Sequence, residues 1–204
     1  MHQSADPKSL FSAIHTQATG ELMQLMDGFY SNIEDGLFEL AYSNEDQVQQ
    51  RRVVELMREL RFRRQHLLKT FGKRIKATGQ EWLHGPETSG DRTDERLIAS
   101  EMASKCSSHF GPVLKSIAER TAHATQRDVS RKTLPLAPEE VSFQFVMSCR
   151  SVQFDKYSIA TVQSLFGRFV LDRLGGVYGR INTELEEAGY YTMAELDQLS
   201  VSSA

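Results

Sequence analysis

Little in this sequence interrupts a helix. Proline occurs 5 times and glycine 13 times in 204 residues, too few for a collagen-like, linker-like or low-complexity chain. There are 2 cysteines. That number makes no disulfide framework and points to a reducing, cytoplasmic setting. Neither cysteine belongs to a CxxC pair, which excludes a zinc knuckle. No apolar run approaches the ~20 residues of a membrane-crossing helix, and Met1 to Pro7 lacks the basic-then-apolar order of a secretory signal. Two-residue alternation bounded by turn signals is missing too, so no strand is expected.

The usual constellations of catalysis are equally scarce. Gly175-Gly176 and Gly179 are not followed by the Lys-Ser/Thr of a phosphate-binding loop, and they read as sites of close helix packing. Cys106 lies on an apolar stripe and Cys149 just after one, as packed thiols do. A di-iron bundle needs two Glu-x-x-His pairs; the sequence has one, Glu81-Trp-Leu-His84, so a metal at Glu81/His84 is the weakest of the readings carried forward. His15, His66, His109 and His123 share no spacing; His109 and His123 meet only if the chain folds back at Gly111-Pro112. The expectation is a protein that is not an enzyme, with no catalytic residue, no metal and no cofactor.

What is present is helical periodicity. With 40% hydrophobic and 25% charged residues, the chain can bury a core as one domain or two small lobes. Asp6-Pro7 has the form of a helix start, and Leu22, Met26, Phe29, Ile33, Leu37 and Leu40 form one stripe. Gly20, Gly28 and Gly36 inside that stretch predict either kinks or close approach of another helix. Ser43-Asn44 reads as a turn, with Glu45 and Asp46 in the first turn of the next helix. Its stripe is Val53, Met57, Leu60, Arg64, Leu67, Phe71 and Ile75, and a short turn between two such helices makes an antiparallel hairpin. The stretch 85–93 is a loop. A third helix, Asp94 to Thr125, carries Ile98, Met102, Cys106, Phe110, Val113, Ile117 and Thr121, with a kink or break due at Gly111-Pro112. A linker follows at 127–137, then a short helix from Pro138. A long helix from Lys156 to Glu187 runs on to a C-cap at Gly189. Thr192 and Glu195 have capping-box spacing for a last short helix. The expected fold is all-α: a hairpin over 1–84 packed with a second helical unit over 94–204.

Charge is segregated. Between Arg51 and Lys76 there are 10 basic residues and 2 acidic ones, a net of +8 against −11 for the remainder. Arg64 falls on the apolar stripe, where a charge is costly unless paired. Across the hairpin, Arg61 and Arg64 are expected to face Gln24 and Asp27, and Arg51 and Arg52 to face Asp35 and Glu39. Those pairs are the bland reading of the basic segment. The remaining cations, Arg63, Lys69, Lys73, Arg74 and Lys76, are candidate partner- or ligand-binding residues, because Arg and Lys bind phosphate without regard to sequence.

Three blocks carry a resemblance. They are Asp35-Gly-Leu-Phe-Glu-Leu-Ala41 with Met57-Arg-Glu-Leu-Arg61; Leu136-Ala-Pro-Glu-Glu140 with Phe145; and Leu165-Phe-Gly-Arg-Phe-Val-Leu171 with Leu174-Gly-Gly-Val-Tyr178, Asn182 and Glu187-Ala-Gly189. Together, in this order, they resemble the N-terminal region of domain-of-unknown-function family 1631, a proteobacterial family whose members are often mislabelled thymidine phosphorylase. The resemblance implies a cytosolic bacterial regulator rather than an enzyme, corresponding to the N-terminal part of a chain usually several times longer. It brings no established active site.

The functional expectation is a non-catalytic interaction protein that docks a protein partner through amphipathic helices and self-associates, as a homodimer. The alternative is binding of a phosphate ligand, nucleic acid or a cyclic dinucleotide, by the basic face of the second helix.

Overall fold

The computed structural model describes residues 6–43, 46–84 and 92–202, and among them every regular element is helical. Helix α1, Pro7–Tyr42, and helix α2, Gln47–His84, form the expected antiparallel hairpin. Then come α3, Thr93–His109; α4, Gly111–Thr125; α5, Pro138–Cys149; α6, Lys156–Phe169; a 3-10 turn, Leu171–Arg173; α7, Gly175–Glu187; and α8, Met193–Ser202. Asn44, Glu45 and the loop residues 85–91 lie outside the described residues.

The hairpin seam is the predicted one. Leu22, Met26, Phe29, Ile33 and Leu37 of α1 are buried, as are Val53, Leu60, Leu67, Phe71 and Ile75 of α2. Leu40 is exposed and Ala41 takes the inward place. Helix α1 runs through its glycines without a break. Close approach justifies only Gly36, where a Cβ would stand 3.3 Å from Leu165; Gly20 and Gly28 face open space. Asp6 makes no side-chain cap, whereas Asp46 stands just before α2 and accepts from the Val48 amide at 2.8 Å.

The third and fourth long helices are each split. Phe110 separates α3 from α4 beside Gly111-Pro112, as expected. The inward face of α3 is Ala99, Ala103 and Cys106; Ile98 is exposed. Small side chains there let α3 lie close on α5. The stretch predicted as one helix over 156–187 is two. The chain departs from α-helix at Val170, and Gly175 starts α7 with its Cα against Phe110, where a Cβ would come within 2.9 Å of the ring. The other two glycines of that group, Gly176 and Gly179, meet nothing within 4 Å.

One aromatic cluster joins hairpin and second unit. Phe145 of α5 and Phe166 of α6 stack at 3.8 Å, and Phe29 of α1 and Phe71 of α2 meet them edge-on at 6.1 to 6.4 Å. Edge-on and stacked pairs each add about 0.5–1.5 kcal/mol beyond burial. Helix α5 is buried almost throughout, from Val141 to Val146, as a helix at the centre of a bundle must be. Residues 126–137 contain no helix, as a linker requires, but Leu134, Leu136 and Ala137 are buried, and the Tyr178 hydroxyl donates to the Leu136 carbonyl at 3.0 Å.

The chain end is tied down by polar contacts. Gly189 has φ +83°, the left-handed C-cap that favours glycine. The Thr192 amide donates to Glu195 at 2.7 Å and the Glu195 amide returns to Thr192 Oγ1 at 3.4 Å, the reciprocal capping box.

Candidate functional site

The cations of α2 meet different surroundings. Arg61 and Arg64, which face α1, are paired. Arg64 donates to Asp27 at 2.6 Å, as its place on the stripe requires, and also to Ser31. Arg61 pairs with Glu34 at 2.6 Å instead of reaching the Gln24–Asp27 region. The Glu34 carboxyl is held below its ordinary pKa by that hydrogen bond. Asp35 and Glu39 do not receive Arg51 and Arg52. Glu39 pairs with Arg168 at 3.7 Å, Arg52 lies over the Tyr157 ring at 5.9 Å, and Asp35 makes no ion pair among the described residues. At the acidic end of α1, Glu34 is met by α2 and Glu39 by α6.

The five candidate binding residues do not form one face. Arg63 pairs along its own helix with Glu59 at 3.4 Å. Lys76 lines a separate apolar cavity. Lys69, Lys73 and Arg74 do come together, in an open concavity of about 700 Å³ that also takes in His66 and Glu81 of α2, Arg92 just before α3, and Phe143 and Gln144 of α5.

Positions 66, 69, 70, 73, 77 and 81 recur at the three- and four-residue steps that align side chains along one helix face, and α5 with the start of α3 forms the opposite wall. Lys69, Lys73 and Arg92 make no ion pair among the described residues, and the Arg74 Nε is buried without a hydrogen-bond partner there. Burial, and after it the Arg92 guanidinium, push the Arg74 guanidinium below its ordinary pKa. Nearby Arg96 is already engaged: it lies 3.5 Å over the Phe143 ring and pairs with Glu140 at 2.6 Å. Among the described residues Glu81 is the one carboxylate lining the concavity. Four cations and one acid among those lining residues make the balance positive, with cations contributed by α2 and by Arg92.

Sequence reasoning missed Arg92 and His66. Arg92 is distant along the chain and joins the group only because α3 packs on α5. His66 shares the helical spacing of Lys69 and Lys73, a signal that was legible; its Nε2 lies 3.0 Å from Ser151 Oγ.

The other chemically able groups are dispersed. Cys106 and Cys149 are free and buried, and burial pushes both thiols up to about 12. The Cys106 thiol donates to the Leu171 carbonyl. His109 contacts Phe110, whereas His123 accepts from the Tyr191 amide at 3.0 Å. Glu81 and His84 are exposed, and among the described residues no group of three or more His, Cys, Asp or Glu side chains is arranged to hold a metal.

A family model described as the N-terminal domain of Protein of unknown function (DUF1631) matches residues 6–189. The chain belongs to the DUF1631 family. The matched segment spans α1 to α7 and ends at the Gly189 cap. The blocks that carry the DUF1631 resemblance are places where helices lock together: Gly36 on Leu165, Phe145 on Phe166, Tyr178 on Leu136, and Asn182 on Arg120 at 3.1 Å. Each of these is a contact between separate segments of the fold. No curated protein and no solved structure is significantly similar to the chain. No helix among the described residues is long and apolar enough to cross a membrane.

Proposed function

We propose that this DUF1631 domain is a non-catalytic cytoplasmic binding protein whose concavity between α2, α5 and the start of α3 receives a compact, phosphate-bearing ligand of nucleotide size. One observation carries the reading: Lys69, Lys73, Arg74 and Arg92 converge on one concavity and make no ion pair among the described residues, while Arg61 and Arg64 are neutralised by α1. A volume of about 700 Å³ lies within the range of small-ligand sites. An Arg fork beside Lys point charges suits phosphate oxygens. Both thiols are buried and held protonated, which supports binding rather than thiol-based turnover.

A salt-titrated binding assay tests this, with a cyclic dinucleotide and a short single-stranded oligonucleotide as separate probes. Affinity for at least one must fall linearly in log–log form as salt is raised. No binding of either near 50 mM salt, where such contacts are strong, removes the proposal.

A second reading, self-association through a protein interface, is favoured by exposed apolar side chains on the half of the hairpin nearer its turn. Phe38 and Tyr42 of α1 pack ring on ring at 4.4 Å yet stay 53% and 75% exposed, and Phe62 of α2 is 86% exposed. Scattered surface leucines need no explanation, but large aromatics of this kind do. Sedimentation of wild type and of Phe38→Ser/Tyr42→Ser tests the homodimer; a strict monomer at all concentrations counts against it.

A further inference from the structure

A second cavity, of about 230 Å³, lies between the start of α1, the end of α2, α4, α7 and the segment at 134–136. Its wall is built from Phe11, Ile14, Trp82, Leu114, Ile117 and Ile181, and among the described residues no carboxylate lines it. The half-buried His15 that borders it is neutral, because burial lowers its pKa to about 4. Lys76 is the one formal charge among the lining residues. A second cation is close by: the Arg127 guanidinium lies 5.3 Å over the Trp82 ring and donates to the Trp82 carbonyl at 3.3 Å. The cavity thus joins an apolar interior to a positively charged edge.

An apolar cavity of about 150 Å³ accepts benzene, so the present one suits an apolar body of about eight or nine carbons. We propose that it binds a small monocarboxylate of that size, its hydrocarbon body among Phe11, Ile117 and Ile181 and its carboxylate at Lys76. The Lys76 charge at the cavity, with Arg127 close by, favours the anion over a neutral or cationic analogue of the same length. This site stands apart from the basic concavity and does not rest on the phosphate-ligand reading.

Trp82 is the single tryptophan and lines the cavity, so its emission reports occupancy directly. The experiment titrates the full chain with octanoate, octan-1-ol and octylammonium at low salt. A saturable change with octanoate, about tenfold tighter than with octylammonium, is expected. Lys76→Gln must narrow that gap while leaving octan-1-ol unchanged. Ile181→Phe, which fills the space, must remove the saturable response to all three, and Lys73→Gln must leave octanoate binding as it was. A non-saturable response of the wild type to octanoate, or equal or tighter binding of octylammonium, overturns the proposal even if the variants do not fold. Loss of octanoate binding in a folded Lys73→Gln chain overturns it as well, by moving the ligand to the other site.

Discussion

Arg120 of α4, its side chain 4% exposed, donates to Glu195 of α8 at 2.8 Å. The same guanidinium donates to Asn182 Oδ1 at 3.1 Å and to the Tyr190 carbonyl at 2.6 Å, and pairs with Glu186 at 3.2 Å. One buried cation thus ties α4 to α7, to the chain after Gly189 and to the capping box of α8. Asn182 and Glu186 lie on the packed helix α7, whereas Tyr190 and Glu195 belong to the chain beyond it. Arg120→Met leaves the Asn182 oxygen and the Tyr190 carbonyl without donors, while the carboxylates turn to water. The expected cost is about 2–4 kcal/mol, read as a lowered urea midpoint. Glu195→Ala keeps three of the four partners and must cost less. Equal losses for the two variants would mean that the cap of α8, not the buried cation, holds the chain end.

His15 predicts a pH dependence with a definite sign. Its Nε2 lies 3.2 Å from Thr78 Oγ1, whose own proton goes to the Ile75 carbonyl at 2.8 Å. The imidazole therefore donates from Nε2 and is bare at Nδ1, which packs where a Cβ on residue 79 would stand. Burial lowers the folded pKa to about 4 against an ordinary 6.5. The unfolded chain binds the proton more tightly, so the contribution to stability is complete above pH 6.5 and is lost as pH falls toward 4. It amounts to about 3 kcal/mol at most. Comparing wild type with His15→Leu by denaturant unfolding at pH 7 and pH 4.5 isolates it: the wild type must lose more. Parallel losses would place the acid sensitivity in the carboxylates instead.

The glycines of the hairpin make opposite predictions. At Gly20 and Gly28 a Cβ meets nothing within 4 Å, so Ala there gains helix propensity of about 0.5–1 kcal/mol. At Gly79 a Cβ would stand 2.5 Å from His15 Nδ1, closer than any real contact, so the ring must move into the apolar cavity. Gly79→Ala is expected to lower the melting temperature, and the other two substitutions to raise it. A gain at Gly79 would mean that His15 has room to turn.

Much of the hairpin was legible because its stripe is long and its partner is the next element in sequence: Phe29, Ile33, Phe71 and Ile75 lie where periodicity puts them. The split at Phe110 followed from Pro112. The split at Val170 did not, since the residues around it continue the apolar period; what breaks the helix is Gly175 closing on Phe110, a contact between distant segments. The ion pairs show the same limit. Arg64 was marked as needing an acid because it stands on an apolar stripe, and Asp27 supplies it. Arg120 stands on such a stripe too, between Ile117 and Thr121, and the same test applied there would have found it. Which acids meet Arg51 and Arg52 depends on helix rotation, which spacing does not encode. The basic concavity was half legible: Lys69, Lys73 and Arg74 share a helix face, whereas Arg92 arrives through the packing of α3 on α5.

The two groups of α2 cations make the sharpest comparison. Lys73→Gln and Arg74→Gln each remove a charge that makes no ion pair among the described residues, and each must weaken the bound phosphate probe and lower its log–log salt slope by about 1. The melting temperature should barely change for Lys73→Gln, whose side chain is exposed. Arg61→Gln and Arg64→Gln remove charges already paired with Glu34 and Asp27, so the salt slope must stay. Arg61 is exposed and Arg64 half-buried, so Arg61→Gln should cost no more than about 1 kcal/mol and Arg64→Gln somewhat more. The slope counts released counterions and is insensitive to small losses of fold, so it separates a site from a merely solvated face. If all four variants lower it alike, binding follows the net charge of α2, and the concavity has no special part in it. If none does, the ligand lies elsewhere.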